Sequence, residues 1–120
     1  MRKISWLFFI PIFIMTASIS AQKSTIYTHY SKDFNRAVSL FKDAQYASAQ
    51  LIFNKVKEAA TTEELKSDCA YYAATCAIRT NQSNADELME QFVSDYPTSV
   101  KQNQAYIEVA HYHFNQGNFP

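Results

Sequence analysis

The sequence predicts an all-α protein, built as antiparallel helical hairpins stacked into a short solenoid behind a signal peptide. Three observations predict it. A small residue followed by bulky ones recurs in three stretches: Ala37-Val38-Ser39-Leu40-Phe41, Ala73-Ala74-Thr75-Cys76-Ala77 and Ala110-His111-Tyr112-His113-Phe114. Each leads into a short turn and further apolar residues: Tyr46, Ala49 and Phe53; Ala85, Met89, Phe92 and Pro97; Gly117, Asn118, Phe119 and Pro120. The spacings of 36 and 37 residues between Ala37, Ala73 and Ala110 are those of helical-hairpin repeats. Second, no alternating strand pattern of useful length occurs anywhere. Third, the only glycine, Gly117, falls where a hairpin turn is required.

The amino terminus has the layout of an export signal. Arg2 and Lys3 precede an apolar run from Ile4 to Met15, and Thr16-Ala17-Ser18-Ile19-Ser20-Ala21 supplies a small-residue exit. Residues 1–21 therefore read as a signal peptide cleaved after Ala21, leaving Gln22 first; the bulk of Ile19 keeps cleavage after Ser20 open. An uncleaved anchor is the competing reading, but spanning a bilayer takes roughly 17–25 apolar residues. The run here is shorter and is interrupted by Pro11. No cysteine follows the cleavage region, which argues against lipid attachment there.

The elements then follow in order. Residues 22–29 are polar and unpatterned, a leader. Over residues 30–43, Phe34, Ala37, Val38, Leu40 and Phe41 recur at helical spacing. Ala44-Gln45 makes a turn, and Tyr46, Ala49, Leu51, Ile52, Phe53 and Val56 mark a second amphipathic helix ending near Ala60. Thr61-Thr62-Glu63-Glu64 fits a capping box, with Thr61 as N-cap and Glu64 reaching back. The third helix runs to about Thr80 and is crowded with small and aromatic residues. Asn81-Gln82-Ser83-Asn84 breaks the chain before a fourth helix carrying Ala85, Leu88, Met89, Phe92 and Val93. Tyr96-Pro97 stops it, since proline disfavours helix in the residue before it. Ser99 and Gln102 are placed to cap a fifth helix carrying Ala105, Tyr106, Val109, Ala110 and Phe114. The repeats thus occupy about residues 30–60, 66–97 and 103–120, the last one incomplete, and the chain reads as an N-terminal fragment of a longer protein.

Charge and composition exclude several function classes. The whole chain has 11 basic and 11 acidic side chains. Loss of Arg2 and Lys3 with the signal would leave the remainder at a net charge of −2, without a basic block to recommend nucleic acid as partner. Cys69 and Cys76 lie seven apart on one helix, about 10 Å between Cα atoms and too far for a disulfide. They read as small buried hydrophobes. His111 and His113 form His-x-His, but on a helix two positions are about 200° apart, so the rings diverge and make a surface or interface pair rather than a metal site. The acids Glu63, Glu64, Asp86, Glu87 and Glu90 sit near helix N-termini, where the helix dipole accounts for them. No Ser-His-Asp order, glycine-rich phosphate loop or Cys-x-x-Cys is present, so no enzyme activity and no cofactor are expected.

Assembled, these residues resemble the tetratricopeptide repeat family across about residues 30–120. Ala44-Gln45-Tyr46-x-x-Ala49-x-x-x-Phe53 matches that pattern with Ala44 replacing the turn glycine, and Tyr96-Pro97 and Gly117-Asn118-Phe119 match as well. The second repeat departs at Gln82, where an aromatic is expected. The signal peptide and the stretch Phe92–Ser99 are similar to exported repeat proteins of gram-negative envelopes, outer-membrane assembly factors among them. The resemblance implies a periplasmic or cell-envelope scaffold, associated with the outer membrane or an envelope complex, whose concave face of first helices grips a protein or peptide. Carried onto this sequence, the peptide-binding residues are Phe34, Val38, Phe41, Lys42, Ala74, Ile78, Ile107 and His111. The groove lacks the Lys and Asn pattern some members use to clamp a C-terminal carboxylate. Two alternatives stand beside this reading: the repeat region of a longer exported enzyme or sensor, and a membrane-tethered outer-membrane assembly factor.

Overall fold

Helices form wherever apolar residues recur at helical spacing, and five of them account for the fold of the described residues. A computed structural model of the protein describes the backbone of residues 19–117 and the side chains of residues 30–117. The helices are α1 (Ile19–Lys42), α2 (Tyr46–Ala59), α3 (Glu63–Arg79), α4 (Ala85–Asp95) and α5 (Gln102–Asn115), with no strand among the described residues. Consecutive helices pack against each other, and α5 also lies on α3. Most of the segment read as a signal peptide lies outside the described residues. The leader assigned to residues 22–29 is helical and belongs to α1. Its polar sequence shows no apolar stripe, yet no proline or glycine stands between Ala21 and Lys42 to stop a helix.

Three turns repeat one backbone geometry. Ala44, Asn81 and Gly117 each have positive φ, at 58°, 57° and 73°. The Ala44 N–H donates to the Phe41 carbonyl at 3.1 Å and the Gln45 N–H to the Leu40 carbonyl at 2.9 Å. At the end of α3, Asn81 donates to Ile78 at 3.1 Å and Gln82 to Ala77 at 2.9 Å. These are Schellman endings, which satisfy the last helix carbonyls only when one residue turns left-handed. Gly117 donates to Phe114 at 3.1 Å in the same way. The turns are spaced by 37 and then 36 residues. They correct the alignment of the second repeat: seven positions before each turn stand Ala37, Ala74 and Ala110, not Ala73.

Two hydrophobic clusters hold the hairpins, and α3 belongs to both. Its Cys69, Ala73 and Cys76 pack with Ala37, Ala49, Phe53 and Val56 from α1 and α2. Its Ala74, Ala77 and Ile78 pack with Ala85, Met89 and Phe92 of α4 and Ala105 of α5. A helix buried on two sides must be apolar nearly all round, which explains the crowding of small residues in α3. Phe53 stacks on Tyr72 at 4.9 Å between ring centroids.

Two helix caps differ from expectation. The cap of α3 is Thr62, whose hydroxyl accepts from the Leu65 N–H at 3.3 Å, rather than Thr61. Glu64 is left free to face outward, and Glu63 pairs with Lys66 at 3.2 Å. At α5 the cap position is Lys101, without a side-chain bond. Gln102 instead donates to the Val93 and Tyr96 carbonyls at 3.0 and 2.7 Å, closing the end of α4.

Candidate functional site

The odd-numbered helices share one surface, with α3 in the middle. On its α1 side, the Tyr72 ring meets Phe34 edge-on at 6.1 Å and Phe41 at 5.2 Å. On its α5 side, the Lys101 ammonium lies over the rings of Tyr71 and Tyr72, 5.3 and 5.2 Å from their centroids, and 3.9 Å from an Asp68 carboxylate oxygen. Farther along, Arg79 pairs with Glu108 at 2.8 Å. Both ties run from α3 to α5 in the same sense, so these two helices are parallel.

Two cavities flank Asp68. One, about 220 Å³, opens between α1 and α3 and is lined by Ser31, Phe34, Thr62, Glu64, Leu65 and Asp68. The other, about 460 Å³, lies between the start of α3 and the α4–α5 connection, and Glu63, Glu64, Asp68, Asp95, Tyr96 and Lys101 are among its walls. Glu64 and Asp68 border both. Burial raises the Asp68 carboxyl above the usual carboxylate range, Lys101 pulls it back and Glu64 adds to the rise. Burial also raises the Tyr96 phenol, with Glu63 and Asp95 adding to it, so the hydroxyl stays protonated as a donor at neutral pH. The surface therefore offers carboxylates, aromatic faces and one cation held in place by both.

The structure distributes the sequence-predicted site residues unevenly. Phe34, Val38 and Phe41 are half-buried against the first cluster, and Lys42 is exposed at the end of α1. Ala74 and Ile78 lie inside the second cluster, 1% and 9% exposed, and their side chains serve packing. Ile107, 55% exposed, and His111 are open on α5. Of this set only Phe34 lines the two cavities at Asp68, beside Glu64 and Asp68, while Ala74 borders a separate hollow with Gln50, Leu88 and Tyr96. Sequence reasoning passed over Glu64, Asp68, Tyr72 and Lys101. The first three recur every four residues on α3, a single stripe, and that spacing was the available signal. The Lys101 contact needs α5 laid on α3 and has no local signature.

Cys69 and Cys76 are free and buried, and burial pushes both thiols up to about 12, so they stay protonated and unreactive at neutral pH. Among the described residues no group of three or more His, Cys, Asp or Glu is arranged to hold a metal ion, and no helix is long and apolar enough to cross a membrane. Compared with family models, curated proteins and solved structures, the chain matches none.

Proposed function

We propose that this chain is a stack of tetratricopeptide-like hairpins that acts as a non-enzymatic scaffold, binding a protein or peptide on the surface shared by α1, α3 and α5. The observation that carries the reading is the recurrence of one left-handed turn at Ala44, Asn81 and Gly117, because equal turns at near-equal spacing generate stacked hairpins with a common face. The residues lining it suit a segment carrying Lys or Arg: Glu64 and Asp68 border both cavities, and the half-buried Tyr71 and Tyr72 already accept one ammonium over their rings. Residues 1–21, read as a signal, place the scaffold in the periplasm or cell envelope in this proposal.

Selection of a random peptide library on the purified chain tests the binding reading. Binders enriched in Lys or Arg are expected, with at least tenfold weaker affinity for Asp68→Lys protein whose circular dichroism is unchanged. Absence of selectable binders, or binders indifferent to that substitution and to Glu64→Lys, would overturn it. Export is tested separately, by N-terminal sequencing of the secreted product, which is expected to begin at Gln22.

A further inference from the structure

We infer that the larger cavity beside Asp68 receives a primary ammonium group on an alkyl stem, with the head held by Ser67, Glu64 and Asp95 and the stem lying along Pro97 and Val100. Ser67 is a wall of this cavity of about 460 Å³ and is only 7% exposed. Its hydroxyl has no hydrogen-bond partner among the described residues. A buried hydroxyl without a partner costs stability, and a ligand donor that reaches it recovers that loss.

Charge points to a cation. Glu63, Glu64, Asp68 and Asp95 all line the cavity. Glu63 pairs with Lys66 at 3.2 Å and Asp68 with Lys101 at 3.9 Å, which leaves Glu64 and Asp95 without a cation among the described residues. Burial, then Glu63 and Asp95, raise the Tyr96 phenol, so the negative field of these acids reaches the cavity wall. The cavity also opens where α4 ends, at the negative pole of that helix. The first turn of α3 is the opposite pole, and its own Glu63 and Glu64 offset it. No three of these acids come together to hold a metal ion, so the cation that fits is organic. Pro97 and the 89% exposed Val100 give the same cavity an apolar side. Methylenes can cover that side while the charged head stays at the carboxylates. Lys101 does not fill this role, because its ammonium is committed to Asp68 and the rings of Tyr71 and Tyr72. The group comes from a lysine side chain of a partner protein or from a free alkylamine, which share head and stem. The first source rests on the scaffold reading above, and the second does not.

The test is a titration of the isotope-labelled full chain, followed by amide chemical shifts. One probe is lysine capped as its acetyl methylamide, and the other is butylamine, the bare head and stem. Saturable shifts at Ser67, Tyr96 and Val100 are expected for both. Capped norleucine, which has the stem without the charge, is expected to leave them unmoved. Ser67→Ala and Asp95→Asn are each expected to weaken binding about fivefold. Ser67→Ala is also expected to melt no lower than the parent, since it removes a hydroxyl that the fold leaves unpartnered. Tighter binding of capped lysine assigns the site to a partner's side chain and tighter binding of butylamine to a free amine, and either supports the site. No saturable shift, norleucine binding as well as lysine, or binding indifferent to both substitutions would overturn it. So would a lower melt for Ser67→Ala, because the hydroxyl would then be bonded within the fold. If selected peptides bind and capped lysine does not, this site fails alone. If capped lysine binds and no peptide is selected, the site stands and the scaffold reading fails alone.

Discussion

A left-handed backbone at a residue with a Cβ costs roughly 1–2 kcal/mol, and Ala44 carries that cost at φ 58°. The turn tolerates it because Ala44 and Gln45 together satisfy the Phe41 and Leu40 carbonyls. Glycine would relieve the strain while adding freedom to the unfolded chain, which offsets part of the gain. Ala44→Gly is therefore expected to stabilise the fold by about 0.5–1 kcal/mol, read as a higher urea midpoint at unchanged slope. Asn81→Gly gains less, because asparagine visits the left-handed region more readily. Gly117→Ala loses about 1 kcal/mol from backbone strain alone, since a Cβ there meets nothing within 4 Å. These turn residues were legible as turns in the sequence, from the polar or small dipeptides between apolar runs. Their shared conformation was legible only at Gly117.

At the scale of the element, helix starts depend on a single oxygen. Thr61 and Thr62 are adjacent hydroxyls before the same acidic pair, and the pattern alone favours Thr61 because Glu64 stands three residues later. In the structure Thr62 is the extended residue before the helix, at φ −106° and ψ 141°, and its hydroxyl takes the Leu65 N–H, so the first turn falls one residue later. Thr62→Ala is expected to cost about 1 kcal/mol of stability, and Thr61→Ala less than about 0.5 kcal/mol. Thermal melts of the two variants distinguish the caps, and equal losses would contradict the Thr62 assignment. The same reasoning explains Gln102, whose side chain caps the end of α4 across a loop instead of starting its own helix. Local pattern can place a helix from its apolar stripe. It cannot choose between adjacent hydroxyls such as Thr61 and Thr62, either of which can accept from a first-turn N–H.

Across the whole molecule, α3 joins both clusters and also carries the stripe of Glu64 and Asp68 that the proposed binding surface uses, so a change at Asp68 bears on the fold and on that proposal together. The hairpin stack was readable from repeated alanines, but the pairing of Asp68 with Lys101, far apart in sequence, depends on how α5 lies on α3. The burial of Asp68 sets a pH dependence. Burial is the largest influence on Asp68 and raises its folded-state pKa above the ordinary 3.8, with Lys101 only partly opposing it. The folded state then holds the Asp68 proton more tightly than the unfolded chain does. The ionised carboxylate costs stability at neutral pH, and the cost fades as pH falls through the raised pKa and is gone below 3.8. Asp68→Asn removes the ionisation while keeping the shape. It is expected to melt higher than the parent at pH 7, with the gap closing on acidification and absent by about pH 3. A variant that melts lower at pH 7 would show that the Lys101 attraction outweighs burial. In that case the ammonium over Tyr71 and Tyr72 is anchored chiefly by Asp68, and a basic partner residue would have to displace it to reach the rings.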